Sequence, residues 1–409
     1  MSKKPELLIP AGNMSKFEMA LAYGADAVYL GGTRFGLRVL AGNFDHDELK
    51  QAVVAAHSMS RHVYVTVNLF PRDDDFAGMA EYLVYLQYIG VDAVIAADPG
   101  VVVFIKKTVP DMEIHLSTQA NTMNSWAANF WHDQGVSRII LARELSLSDI
   151  ERIRKSTPNS LELEVFVHGS MCMAYSGRCA ISSYLTGREA NRGHCTQPCR
   201  WEYHLVEEKR PGEFFRVEED QRGLFFFNSK DLNMMPHLKA LRDAGIDALK
   251  VEGRMKSEHY VAAVTAAYRR EIDRLHASPD SYAPLPESLA ELNKVTYRPY
   301  GTGFFFGSPG GEGQNVEKAR YMKEWDYVAK VIAETDDQHT AWFEEFNPFS
   351  KTEELEVLRP GGSFEPIHIL EIAGEEGEPL DEVKQPRRRV LMRCDRPVSR
   401  LCILRRKND

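Results

Sequence analysis

At 409 residues the chain is long enough for roughly two or three domains of about 150 residues, or for one barrel of about 250 with a smaller module. Its 44% hydrophobic and 27% charged residues fit a globular protein, and a formal charge of -9 does not announce a nucleic-acid binder, so any basic surface must be local. The opening MSKKPELLIPAG has no apolar run long enough for a signal peptide, and no window reaches the roughly 18 continuous apolar residues of a membrane span, so the expected compartment is the cytosol, where thiols stay reduced.

One unit recurs up to about residue 255: a short apolar run ending in a small or polar residue, then a helical pattern. The runs are LLIPAG (7–12), AVYLGG (27–32), VYVTVN (63–68), AVIAAD (93–98), IHLSTQ (114–119), RIILAR (138–143), LEVFVHG (163–169) and ALKVEGR (248–254). Several follow a glycine and then an aspartate or serine, as in YGADAVYL, IGVDAVIA, QGVSRIIL and AGIDALKV, where the glycine suits the left-handed end of the preceding helix. Eight buried strands alternating with helices predict an α/β fold, a TIM-like (β/α)8 barrel over residues 1–276. An open doubly wound sheet is the alternative, and no GxGxxG follows the first strand to support it.

The seventh and eighth runs stand about 80 residues apart, far more than an ordinary connection. The excess, about 168–232, includes WEYHLVEEKRPGEFFRV and GLFFFNSKDL, which read as antiparallel strands about a turn with Pro211 and Gly212. Because barrel enzymes keep their chemistry in the loops after strand C-termini, the insertion is where function is expected. Residues 277–317 are rich in proline and glycine and read as a connector, with the aromatics of VTYRPYGTGFFFG available for burial. Residues 318–409 carry short β patterns (YVAKVIAE, HTAWFEEF, ELEVLRP, SFEPIHILEI, RVLMR) that predict a small β-barrel. The last 26 residues hold ten basic side chains, from Lys384 to Lys407, opposed only by Asp395 and Asp409. This strip is the expected handle for nucleic-acid phosphates, or otherwise a solvated face.

Four of the six cysteines, Cys172, Cys179, Cys195 and Cys199, lie within 28 residues of one another. Their intervening gaps are six, fifteen and three residues. A structural zinc site usually shows two close pairs, and only Cys195 and Cys199 form one. Thiolate-only ligation with irregular gaps favours an iron–sulfur cluster, with zinc and plain buried thiols as alternatives. Cys394 and Cys402 are expected as apolar filling of the small domain.

ELEVFVHGSMCMAYSGRCAIS sets Glu164, Phe166, Gly169, Cys172, Gly177, Cys179 and Ser182 at the fixed positions of a known signature. In this it resembles the collagenase-like peptidase U32 family, and the resemblance runs through SYLTGREANRGHCTQPCRW, FFFNSKDL and LKVEGRMKS to the terminal β domain. It is nearest to the members that modify tRNA. The resemblance implies a 4Fe–4S cluster on Cys172, Cys179, Cys195 and Cys199. It also implies hydroxylation of carbon 5 of the wobble uridine of tRNA, without molecular oxygen and with prephenate as the source of the hydroxyl. Relatives with the same cysteine frame act on ribosomal RNA or in ubiquinone hydroxylation, so the cysteines alone do not fix the substrate. The peptidase name reflects a historical collagenase assignment.

Such chemistry needs a cationic pocket for the two carboxylates of prephenate, where arginine forks fit better than lysine. Candidates at strand ends are Arg143, Lys250 and Arg254, with Arg178, Arg188, Arg192 and Arg200 in the cysteine loop; Arg143 and Arg254 are the preferred pair. An extruded base needs aromatic faces and edge hydrogen bonds. Tyr29, Asn68, Gln119, Asn121, His168, Tyr175 and Asn228 are the expected lining, although each also suits packing or capping. His168 and Tyr175 are the expected catalytic groups. Glu164 lies in an apolar strand, where a charge needs a partner such as Arg138 or Lys250. A peptidase alternative would use a cysteine with His168 or His194, since neither HExxH nor GxSxG is present. A tRNA-binding scaffold with a merely structural cluster is the third reading.

Overall fold

Each of the eight apolar runs forms a strand. The computed structural model describes residues 3–37, 42–172, 179, 181–190, 193–200, 219–220, 223–224, 229–309 and 321–408. In chain order the first half runs β1 (Glu6–Pro10), α1 (Met14–Ala22), β2 (Ala27–Gly31), α2 (His46–Ser58), β3 (His62–Val67), α3 (Met79–Tyr88), β4 (Ala93–Ala96), α4 (Pro99–Thr108), β5 (Glu113–Leu116), α5 (Ser125–Asp133), β6 (Arg138–Ile140), α6 (Leu147–Lys155) and β7 (Glu162–Ser170). Then come α7 (Ile181–Thr186), the two-residue strands β8 (Glu219–Asp220) and β9 (Gly223–Leu224), β10 (Asp231–Asn233), α8 (Leu238–Asp243), β11 (Ala248–Val251), α9 (Glu258–Ala277), α10 (Pro286–Glu291) and β12 (Tyr300–Gly301). Strands β1 to β7 and β11 pair in parallel, and the β7–β11 pairing closes the barrel. The expected hairpin around Pro211 and Gly212 falls mostly outside the described residues.

The repeated glycine–aspartate signal has a double cause. Gly24, Gly90, Gly135 and Gly245 end their helices at φ between 78° and 108°, which only glycine adopts without strain. The aspartate two residues on then grips the preceding strand. Asp26, Asp92 and Asp247 accept from the backbone N–H of Leu7, Val63 and Leu163 at 2.9, 2.7 and 2.9 Å. Side-chain caps at Asn13, Asp45, Asp98, Asn124, Ser146 and Ser257 start six of the helices. All six lie on the side where the strands end, so the mouth of the barrel is also the rim of helix starts.

The C-terminal part comprises β13 (Trp325–Glu334), β14 (Thr340–Glu345), β15 (Phe349–Ser350), β16 (Leu355–Leu358), β17 (Phe364–Ile367), β18 (Ile369–Ala373), β19 (Glu382–Val383), β20 (Arg389–Cys394) and β21 (Ile403–Lys407). Seven of these form an antiparallel sheet in the order β17-β16-β21-β13-β14-β20-β18. Its two edge strands are consecutive in the chain with only His368 between them, so the sheet curls shut through one bent segment. Cys394 and Cys402 are both fully buried in its core, as apolar filling.

The two parts meet over α1, α9 and α10. Tyr23 donates its hydroxyl to the carbonyls of Leu358 and Leu401 at 3.0 and 2.9 Å. Lys330 bonds Glu258 at 2.7 Å and Ser15 at 2.8 Å. Arg405, with no exposed surface, pairs with Glu291 at 2.8 Å and with Glu356 at 2.7 Å.

Candidate functional site at the barrel mouth

The exit of β7 departs from regular pairing. Phe166 pairs with Lys250 but His168 pairs with Val251, so Val167 is an extra residue and a β-bulge. The Val167 carbonyl, released from the ladder, accepts from Tyr268 Oη at 2.9 Å and Met234 N at 2.8 Å. The bulge also shifts the strand's alternation. Phe166 lies under the Arg143 guanidinium on the barrel side, 3.8 Å from its ring centroid. His168 instead turns to α9 and β12, where Tyr260, Tyr268 and Tyr300 surround its ring at 5.9, 5.5 and 5.3 Å.

His168 is 1% exposed, and burial, assisted by the charge of Lys256, holds its imidazole down to about 3. Its Nε2 has no partner among the described residues. The expectation of a direct catalytic role thus meets a neutral ring packed behind the mouth, because the bulge reverses the face that simple alternation predicts. Tyr175 and Asn228 lie outside the described residues, as do Arg178 and Arg192.

Past the bulge, several groups clamp the chain that leads to the cysteines. Gly169, at φ 105°, lets the Glu252 carbonyl approach to 2.5 Å of where a Cβ would stand. Glu252 N donates to the His168 carbonyl at 2.9 Å. Arg143 donates to the Ser170 carbonyl at 3.0 Å and to Glu252 at 3.3 Å. On the other side β10 pairs antiparallel with Ser170 to His168, and Ser229 Oγ donates to the Met171 carbonyl at 2.9 Å. Arg143, Phe166 and Met171 line a small cavity here with Phe305.

All six thiols are free; Cys172 is exposed and Cys179, Cys195 and Cys199 are half-buried. Cys172 follows β7 by two residues, while Cys195 and Cys199 lie beyond α7. Ser182 Oγ stands 3.0 Å from Thr196 Oγ1 and accepts from the Thr196 N–H at 3.2 Å, tying α7 to the second cysteine pair. Gln197 N–H donates to Cys195 Sγ at 3.4 Å, the contact that stabilises a ligating thiolate. Among the described residues no three cysteine, histidine or carboxylate groups stand close enough to hold a metal ion. The donor set, four reduced thiols on one segment with a backbone amide on one sulfur, fits a thiolate-bound cluster in kind.

Across the mouth, hydrogen bonds link three expected residues. Arg254 donates to the Leu37 carbonyl at 3.0 Å, Leu37 N–H to Asn68 at 3.1 Å, and Asn68 to Gln119 at 2.6 Å. Gln119 Nε2 and Thr66 Oγ1 are buried with no partner among the described residues. Arg254 also bonds Asn43 at 2.8 Å. Arg254 is therefore engaged with the β2 loop, whereas Arg143 is engaged at the β7 exit; the preferred pair has different neighbours. Tyr29 donates to the Val251 carbonyl at 3.0 Å and lies under Lys250.

Lys250 is committed inside the barrel. It bonds Glu164 at 2.8 Å, and Arg138 reaches the same carboxylate at 3.3 Å. Burial raises the Glu164 carboxyl, but Lys250 and then Arg138 outweigh it and leave the group below its usual range. The partners expected for Glu164 are those found.

In the C-terminal basic strip most cations are ion-paired, while Lys384, Arg387, Arg393 and Arg400 remain more than half exposed. Lys384, Arg387, Arg388, Arg393, Arg400, Arg405 and Arg406 are ion-paired within the chain, to Glu382, Glu344, Glu378, Glu371, Glu18, Glu291 and Asp326 respectively. The run ILRRK is an inner strand, β21, and Arg405 belongs to the domain interface. Sequence reasoning missed the Arg143–Glu252 clamp and the tyrosines behind His168. The eight-residue spacing of Tyr260 and Tyr268, one face of α9, was the available signal for the latter.

The model of peptidase family U32 matches residues 12–315, and that of the peptidase family U32 C-terminal domain matches residues 323–405. The chain is 37% identical over 97% of its length to tRNA hydroxylation protein P1 of Bacillus subtilis, covering 94% of that protein. It is 36% identical over 91% of its length to tRNA hydroxylation protein P of Escherichia coli, covering 90% of that protein. It is 38% identical over 67% of its length to the 23S rRNA 5-hydroxycytidine C2501 synthase of Escherichia coli, covering 40% of that protein. No helix among the described residues is long and apolar enough to cross a membrane.

Proposed function

The chain belongs to peptidase family U32, and from that premise we propose that it is a tRNA hydroxylase that forms 5-hydroxyuridine at the wobble position, taking the hydroxyl from prephenate without molecular oxygen. The observation that carries the reading is the near full-length likeness to two proteins named for tRNA hydroxylation. Cys172, Cys179, Cys195 and Cys199 would hold a 4Fe–4S cluster, which when bound supplies a redox-active, Lewis-acidic centre. Arg143 is the strand-end cation nearest the cysteine segment for a prephenate carboxylate, since it bonds the Ser170 carbonyl two residues before the first cysteine and its Nε has no partner among the described residues. Asn68 and Gln119 offer amide groups for a base edge, and Arg254 fixes the loop that positions Asn68. Lys250 holds Glu164 and so supports the barrel wall.

The test is nucleoside analysis of tRNA from a strain lacking the gene, complemented with wild-type chain or with Cys195→Ser. Loss of 5-hydroxyuridine-derived nucleosides, restored by the wild type alone, is expected. The likeness to the rRNA synthase favours one second reading, hydroxylation of ribosomal RNA. Unchanged tRNA with a loss of hydroxylated rRNA nucleosides would move the assignment there.

A further inference from the structure

Seven of the ten C-terminal cations are ion-paired within the chain, and the mouth carries another surface that suits RNA. The segment from Tyr297 to Phe306 crosses the root of the cysteine segment. The Cβ positions of Gly301 and Gly303 lie 3.6 Å from the Lys230 side chain and 3.4 Å from the Met171 side chain, and the Phe305 carbonyl accepts from Leu147 N at 2.9 Å.

An exposed aromatic ring lies at each end of this strap, its own Phe306 at one end and the neighbouring Tyr321 at the other. Phe306 is 56% exposed, with its ring backed by His237 at 4.6 Å between centroids. At the other end Tyr297 pairs with Met322, and the neighbouring Tyr321 is 38% exposed. The Tyr321 ring holds Lys256 Nζ at 4.6 Å and the Arg298 guanidinium at 4.7 Å. Lys256 also bonds the Thr296 carbonyl at 3.1 Å, which fixes its stem along the strap.

Half-exposed lysines interleaved with exposed rings are what a single-stranded nucleic acid meets on its binding proteins. The rings stack bases of any sequence, and the ammonium groups follow the phosphates. An enzyme acting on carbon 5 must take its base unstacked, so the strand beside that base is locally single. We propose that the Tyr297–Phe306 strap is a contact surface for single-stranded RNA beside the cysteine segment, with Phe306 as a stacking face and Lys230 and Lys256 as phosphate contacts. This rests on the tRNA reading above.

The test is the anisotropy of an unmodified tRNA transcript titrated with the full chain over a salt series. Lys230→Ala with Lys256→Ala weakens binding and makes the plot of log affinity against log salt shallower by about 1.4, the share of two single-strand phosphates at about 0.7 each. Phe306→Ala weakens binding about tenfold with the slope unchanged, and Phe306→Tyr binds as the wild type does. Lys256→Arg keeps the slope, which separates lost charge from misfolding. Arg389→Ala, Arg396→Ala and Lys407→Ala together, the strip cations outside those ion pairs, change neither affinity nor slope. Strap variants that bind like the wild type, or a tail variant that abolishes the salt dependence, overturn the strap. A wild-type chain with no affinity for tRNA overturns the tRNA reading itself.

Discussion

Glu164 and His168 show what a residue's neighbours decide. A carboxylate in the apolar run LEVFVHG announces that it needs a cation, and Lys250 and Arg138 were readable as partners because they stand on neighbouring strands. Glu164→Gln leaves Lys250 without its anion, and the cost of breaking a buried pair is about 3–5 kcal/mol. Equilibrium denaturation should show that loss. His168 was not legible, since a bulge at Val167 reverses its face and a period-two pattern carries no mark of it. Its burial makes a pH prediction. The unfolded imidazole titrates near 6.5, whereas in the fold it is held down to about 3. Below about pH 6.5 the unfolded chain takes up a proton that the fold refuses, so this share of stability is complete above that pH and is lost progressively down to about pH 3. His168→Phe, which keeps the tyrosine packing, should melt with a weaker pH dependence than the wild type between those limits. Curves that run parallel would contradict the burial.

At the scale of elements, the eight barrel strands were legible because apolar runs alternate with helical patterns, and four of the runs follow a glycine that ends a helix. The anchoring role of Asp26, Asp92 and Asp247 was not, since it depends on which strands lie side by side. Strand β21 was misread for a different reason. Its ILRRK looks like a solvated basic tail, and only the carboxylates of Glu291 and Glu356, more than 40 residues upstream, make Arg405 a buried residue. The exit of β7 is the element on which the site depends. Gly169→Ala places a methyl group 2.5 Å from the Glu252 carbonyl at a φ of 105°, so it should destabilise the chain by about 2 kcal/mol or more and reduce iron incorporation in an anaerobic preparation. Arg143→Lys keeps the charge but not the fork. It should raise the prephenate concentration needed for half-maximal rate by about tenfold while leaving tRNA affinity unchanged.

For the whole molecule, the barrel and the C-terminal sheet are joined by charge as well as by apolar packing. Arg405 is raised above its usual range because Glu291 and Glu356 outweigh the effect of burial. Arg405→Ala should leave Glu291 and Glu356 to share Lys294 and lower stability by about 3 kcal/mol in denaturant unfolding. Arg405 of the last strand thus joins the two parts, and the substrate contacts proposed above lie at the mouth of the barrel, with its clamped β7 exit, thiols and aromatic strap. The most direct test of that assignment is mass spectrometry of nucleosides from unmodified tRNA incubated under argon with reconstituted protein, with and without prephenate. 5-Hydroxyuridine that forms only when prephenate is present, and not with the Cys195→Ser variant, is the result the account predicts. Full hydroxylation by an iron-free Cys195→Ser chain, or none by an iron-loaded wild type supplied with prephenate, would contradict it.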